Sequence, residues 1–119
     1  VSEFDEKIRE YYALRPTDYY VVRSISLNQS ISSSGEYEQS LSIVLQKELA
    51  NSKNCLYLEF YAVRKLVLQQ TDWSRFSIGH IEILAPTEVP AGGNNFMVRD
   101  PEQERTIMFE CRDFDVYAT

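Results

Sequence analysis

A chain of 119 residues, 44% hydrophobic and 25% charged, is long enough for one domain with one apolar core and needs no metal or disulfide staple to close it. Its net charge of −6 argues against nucleic acid, whose binding rests on neutralising phosphates with Lys and Arg, and equally disfavours anionic membrane surfaces. No run of about 18 apolar residues is present to span a bilayer, and four glycines with four prolines are too few for a disordered or collagen-like chain.

Residues 2–15 read as a helix. Ser2 is a good N-cap, and Asp5 three residues later resembles a capping box. Phe4, Ile8, Tyr11 and Tyr12 recur at helical spacing, which predicts the docking face; Glu6, Lys7, Arg9 and Glu10 are assigned to the wet face. Glu3, Asp5 and Glu6 suit the positive end of the helix dipole, and Pro16 stops the helix. The opening residues carry no apolar signal segment, so the expectation is a cytoplasmic protein.

From residue 18 to 119 the chain reads as mainly antiparallel β-structure. Tyr19, Val21, Ile25, Leu27 and Ile31 share one parity, interrupted by Arg23 and Gln29, and "SSSGE" marks a turn. Residues 37–49 alternate as in a strand at Tyr37, Leu41, Ile43, Leu45 and Leu49, while Leu41, Val44, Leu45 and Leu49 also fit helical spacing. The strand is favoured, because Ile43 falls off the helical stripe. "NSKN" is then a hairpin loop. Leu56, Leu58 and Phe60 form one face of the next strand, and a break at Tyr61-Ala62 suggests a bulge or corner where the chain switches sheets. "TDWSRF" reads as a polar connection, and Ile81 and Ile83 centre a strand. "NFMVRD" and "RTIMFEC" flank "DPEQE" as a hairpin, with Asp-Pro placed for a type I turn. The alternation of Ile107, Phe109 and Cys111 breaks at Arg112-Asp113 and resumes at Phe114 and Val116. The expected architecture is a single domain, 1–119: an antiparallel β-sandwich or partly open barrel with one N-terminal α-helix.

Residues 56–116 also carry a theme. "LYLEFYAVRKLVL" gives apolar-x-Phe, Val and a further apolar position; after a long spacer, "NFMVRDPEQERTIMFECRDFDV" gives aromatic-x-Val-x-Asp and then Phe-x-Cys-x-Asp-Phe. This resembles small uncharacterised bacterial β-rich domains, some of them assigned as immunity proteins of polymorphic toxin systems. Tyr61-Ala62 stands where a glycine is expected. The resemblance implies a β-rich fold and stoichiometric inhibition of a partner protein.

Candidate chemistry is sparse. His80 is the single histidine, and no metal, cofactor or catalytic residue is assigned. "PAGGNNF" lacks the Gly-Lys-Ser/Thr ending of a phosphate loop, and "DPEQE" lacks the glycine and the length of a calcium loop. Cys55 and Cys111 lie in apolar runs and read as buried free thiols. The densest acidic stretch is Asp100, Glu102, Glu104, Glu110, Asp113 and Asp115, answered by Arg105 and Arg112; a solvated hairpin tip accounts for it without function. The eight tyrosines exceed what a core needs, and a ring with a polar tip suits interfaces.

The functional expectation is therefore a non-catalytic protein-binding module, an immunity-like inhibitor meeting a basic protein partner through an acidic, aromatic face. Its candidate residues are Glu102, Glu104, Glu110, Asp113, Asp115 and Tyr117. The alternative is a small-ligand-binding barrel or sandwich, potentially an enzyme, with a deep cavity lined by tyrosines. Homodimerisation through a strand edge is compatible with either.

Overall fold

In a computed structural model, residues 3–19, 21–48, 51–68, 81–86, 95–100 and 107–119 are described. Among these residues, one helix, α1 (Glu3–Ala13), precedes a short 3₁₀ turn (Pro16–Asp18) and eight strands: β1 (Val21–Ile31), β2 (Tyr37–Glu48), β3 (Asn51–Tyr61), β4 (Arg64–Leu68), β5 (Glu82–Leu84), β6 (Phe96–Arg99), β7 (Ile107–Cys111) and β8 (Asp113–Ala118). They form two antiparallel four-stranded sheets, ordered β1-β2-β3-β8 and β4-β7-β6-β5. The expectation of an antiparallel sandwich or partly open barrel with one N-terminal helix holds, and the ambiguous 37–49 segment is a strand through Glu48.

Side-chain alternation explains how the sheets meet. Leu41, Ile43 and Leu45 of β2 pair with Phe60, Leu58 and Leu56 of β3, and all six are buried on the inner face. Ile83, Phe96, Val98, Ile107 and Phe109 fill the facing side. Ring contacts join the layers: Phe60 meets Phe109 at 4.8 Å and Phe96 meets Phe114 at 4.9 Å, both edge to face. Each such buried side chain contributes roughly 1.5–3 kcal/mol by leaving water.

The expected breaks at Tyr61-Ala62 and Arg112-Asp113 are the two corners where the chain changes sheets. They lie side by side, tied by the Arg112 N–H donating to the Tyr61 carbonyl at 3.0 Å. Ala62 takes φ 54, the left-handed region glycine enters without penalty, and Lys65 repeats this (φ 56) in the bulge between Arg64 and Val67. The β1–β2 turn uses Gly35 at φ 85. There Ser32 N–H donates to Glu36 O at 2.7 Å, and Gly35 N–H to Ser32 O at 2.9 Å.

Three details differ from the sequence reading. Asn51 pairs with Glu48, so "NSKN" opens β3 and is not a loop. A bulge at Arg23 shifts the register of β1, placing Val21 opposite Gln46 but Ile25 opposite Ile43; the two do not share a face. Lys7 is not simply on a wet face: it is half-buried and bonded to β8.

Helix α1 closes one open side of the sandwich, between edge strands β8 and β5. Its Lys7 ammonium donates to the Phe114 carbonyl at 2.8 Å. One turn later the fully buried Tyr11 hydroxyl donates to the Ile81 carbonyl. The Tyr12 hydroxyl accepts from Ile83 N–H at 3.3 Å and lies 3.5 Å from the Ile83 carbonyl. Ile8 packs against the core, whereas Tyr12 is 41% exposed. The helix ends as expected before Pro16, with Arg15 in the left-handed region.

Candidate partner-binding face

The outer face of the first sheet is built by register. Where β8 runs beside β3, Asp113 stands opposite Tyr61, Asp115 opposite Glu59 and Tyr117 opposite Tyr57. These are the residues between the inward-facing Phe60, Leu58, Phe114 and Val116, so alternation turns them all outward. Three carboxylates and three tyrosines thus occupy one face.

Their contacts order them. The Tyr57 and Tyr117 rings stack with centroids 4.7 Å apart and planes 9° from parallel, and Tyr117 remains 53% exposed. The Tyr61 hydroxyl donates to Asp115 Oδ2 at 2.9 Å, and Ser42 donates to Glu59 Oε1 at 2.9 Å. At the margin, Lys7 Nζ lies 2.6 Å from Asp113 Oδ1 and 3.7 Å from Asp115 Oδ1. Hydroxyls and one ammonium hold the acids in place while leaving more than half of each aspartate side chain in solvent.

Titration behaviour reports the negative field. The Tyr61 phenol is raised above its ordinary pKa, first by its hydrogen bond to Asp115, then by burial and by the charges of Asp115, Glu59 and Asp113. For Lys7, burial pulls the ammonium down, but its hydrogen bond to Asp113 and the charges of Asp113, Asp115 and Glu10 outweigh that and leave it raised. Beneath this margin Cys111 is fully buried; desolvation, with the charge of Asp113 and against that of Lys7, pushes its thiol up to about 12.

The sequence-predicted residues divide. Asp113, Asp115 and Tyr117 come together here. Glu110 belongs to β7 of the other sheet, between buried Phe109 and Cys111, and faces away from the core there; its carboxylate is 3.4 Å from Lys65 Nζ. Glu102, Glu104 and His80 lie outside the described residues. Glu59, Tyr57 and Tyr61 join the face, which sequence spacing missed because β3 and β8 are far apart in the chain. The outward parity of β3, opposite Leu56, Leu58 and Phe60, was the available signal.

Both cysteines are free and buried, as expected; Arg23 Nη1 lies 3.4 Å from Cys55 Sγ. Among the described residues no group of three or more His, Cys, Asp or Glu side chains could hold a metal, and no helix is long and apolar enough to cross a membrane. A separate open cleft of about 340 Å³ lies where the distal β1–β2 hairpin meets the sheet-switching corners; Gln29, Tyr37, Gln39, Arg64 and Arg112 contribute to its wall.

Compared with known families, the sequence matches Immunity protein PIM8 over residues 3–117. The chain belongs to this family. The match runs from the start of α1 to the outward Tyr117 of β8, so helix, both sheets and the acidic face all fall inside the Immunity protein PIM8 region. No curated protein and no solved structure matches the chain. Immunity protein PIM8 membership makes the chain an inhibitor-like, non-catalytic binder whose partner is a protein, a toxin.

Proposed function

We propose that this immunity protein neutralises its toxin by docking the outer face of the first sheet, Asp113, Asp115, Tyr117, Tyr57, Glu59 and Tyr61, onto a basic surface of the toxin. The observation that carries the reading is the convergence of three carboxylates and three tyrosines on one ordered face within the family-matched region. Stacked Tyr57 and Tyr117 supply rigid area that loses little entropy on binding, the property that enriches tyrosine among interface hot spots. The carboxylates act at longer range, by steering a basic partner into encounter. A toxin made in the same cell is met in the cytoplasm, where two buried free thiols are at home.

The test uses the toxin encoded beside the immunity gene. Asp113→Asn with Asp115→Asn removes charge but keeps shape. Both acids are more than half exposed, so their ion pairs with Lys7 are worth about 0–1 kcal/mol and the fold survives. The association rate should fall about tenfold at low salt, with the difference closing as salt rises. Tyr117→Ala should speed dissociation. Wild-type rates in both variants would place the toxin elsewhere on the molecule.

A further inference from the structure

The β1–β2 hairpin extends past the second sheet. Its inner-face residues Leu27, Ile31 and Tyr37 continue the row begun by Leu41 and Ile43, yet are 51%, 64% and 72% exposed. Among the described residues nothing pairs with the outer edge of β1. The turn hydrogen bond Ser32 N–H to Glu36 O marks Ser32 and Glu36 as a bonded pair, and the register runs without a shift from Ser24↔Val44 to Ile31↔Tyr37. Beyond the bulge, the even-numbered residues from Ser24 to Ser30 therefore bond to β2, and the odd ones, Ile25, Leu27, Gln29 and Ile31, direct their N–H and C=O outward.

Such an edge is usually blunted by charge, proline or a bulge. Here the sequence from Ser24 to Gly35 has no charged residue and no proline, and the bulge at Arg23 ends the flat stretch only at its start. We infer that β1 pairs antiparallel with β1 of a second copy across a twofold axis at Asn28, joining two first sheets into one continuous sheet. An uncharged strand meets its own copy without like-charge cost, although each chain carries −6 overall. The basic toxin proposed for the acidic face finds no carboxylate on this strand. The register follows from the outward groups. With Asn28 on the axis, Ile25 bonds to Ile31 of the second copy and Leu27 to its Gln29, which uses every outward residue between the bulge and the turn. Centring on Leu27 instead would set Ile31 against the bulge.

Asn28 then meets its own copy as a non-bonded pair, with Cα atoms about 4.5 Å apart and within reach of a disulfide. Light scattering over a range of concentrations should give a mass approaching twice 13.9 kDa. Gln29→Pro removes only an outward donor and should return the mass to that of one chain. With one cysteine added at a time and dissolved oxygen as the oxidant, Asn28→Cys should form a disulfide-linked dimer. Ser26→Cys and Ser30→Cys, which face each other and not themselves, should stay uncrosslinked; the buried native thiols supply the background. A wild-type protein that stays monomeric at every concentration overturns the inference, even if the Gln29→Pro variant loses toxin binding. Equal crosslinking at positions 26, 28 and 30 overturns it as well.

Discussion

Replacing Tyr11 with phenylalanine tests whether α1 clasps the sandwich or merely rests on it. The ring is fully buried and phenylalanine keeps it; what disappears is the bond to the Ile81 carbonyl, left buried without its donor. An unsatisfied buried acceptor costs about 1–3 kcal/mol. In a domain this size that lowers Tm by roughly 3–10 °C. Tyr12→Phe is the matched control: its hydroxyl also serves β5, but the residue is 41% exposed and water can replace it, so the loss should stay below about 1 kcal/mol. Urea unfolding at neutral pH measures both, with an unchanged slope confirming that the native state is otherwise intact. The pH dependence adds a second readout. Burial, with Tyr12 adding to it, raises the Tyr11 pKa well above its ordinary value. Its contribution is then complete below about pH 10, the unfolded value, and is lost as pH climbs through the folded one. Tyr11→Phe should therefore flatten the alkaline fall in stability. A Tyr11→Phe protein within 0.5 kcal/mol of wild type, by about the resolution of such measurements, or a larger loss from Tyr12→Phe, would refute the clasp.

Phe109→Ala, which removes the ring set edge-on to Phe60 between the sheets, should cost about 3–5 kcal/mol by urea titration. Ala62→Gly should stabilise by about 0.5–1 kcal/mol, since relief of the left-handed strain exceeds the added freedom of the unfolded chain; calorimetry would register a small rise in Tm. A thiol-specific chromophore should label Cys55 and Cys111 slowly in the native protein and completely in denaturant, Cys111 being held back further by its raised pKa.

Local pattern made much of the fold legible. Alternation at Leu41, Ile43 and Leu45 identified β2 as a strand, and the lapses at Tyr61-Ala62 and Arg112-Asp113 located the corners, because a switch of sheets must interrupt a two-residue period. The bulge at Arg23 was not legible: one extra residue inverts the parity before it while leaving the residues between equally plausible as strand. Half of the candidate face was readable, since Asp113, Asp115 and Tyr117 alternate with Phe114 and Val116. Glu110 was grouped with them by proximity in sequence, yet the corner at Arg112 sends it to the other sheet. Lys7 could not be placed from the helical pattern, because its partners Asp113 and Asp115 lie at the far end of the chain.

The paired corners carry a consequence for how the molecule comes to be folded. Since β3 runs into β4, β7 into β8, and the two bent segments lie against each other along their length, the halves of the sandwich share a spine made from residues 51–68 and 107–118. The β1–β2–β3 meander can form early from local contacts, but its apolar inner surface has no Ile107 or Phe109 to cover it until the later segment has been synthesised. Closure must then bridge a long stretch of intervening chain, which makes it slow relative to hairpin formation. A nascent chain paused before residue 107 would present Leu41, Ile43, Leu56 and Leu58 to its surroundings, and would be a substrate for chaperones or for aggregation at that stage of synthesis.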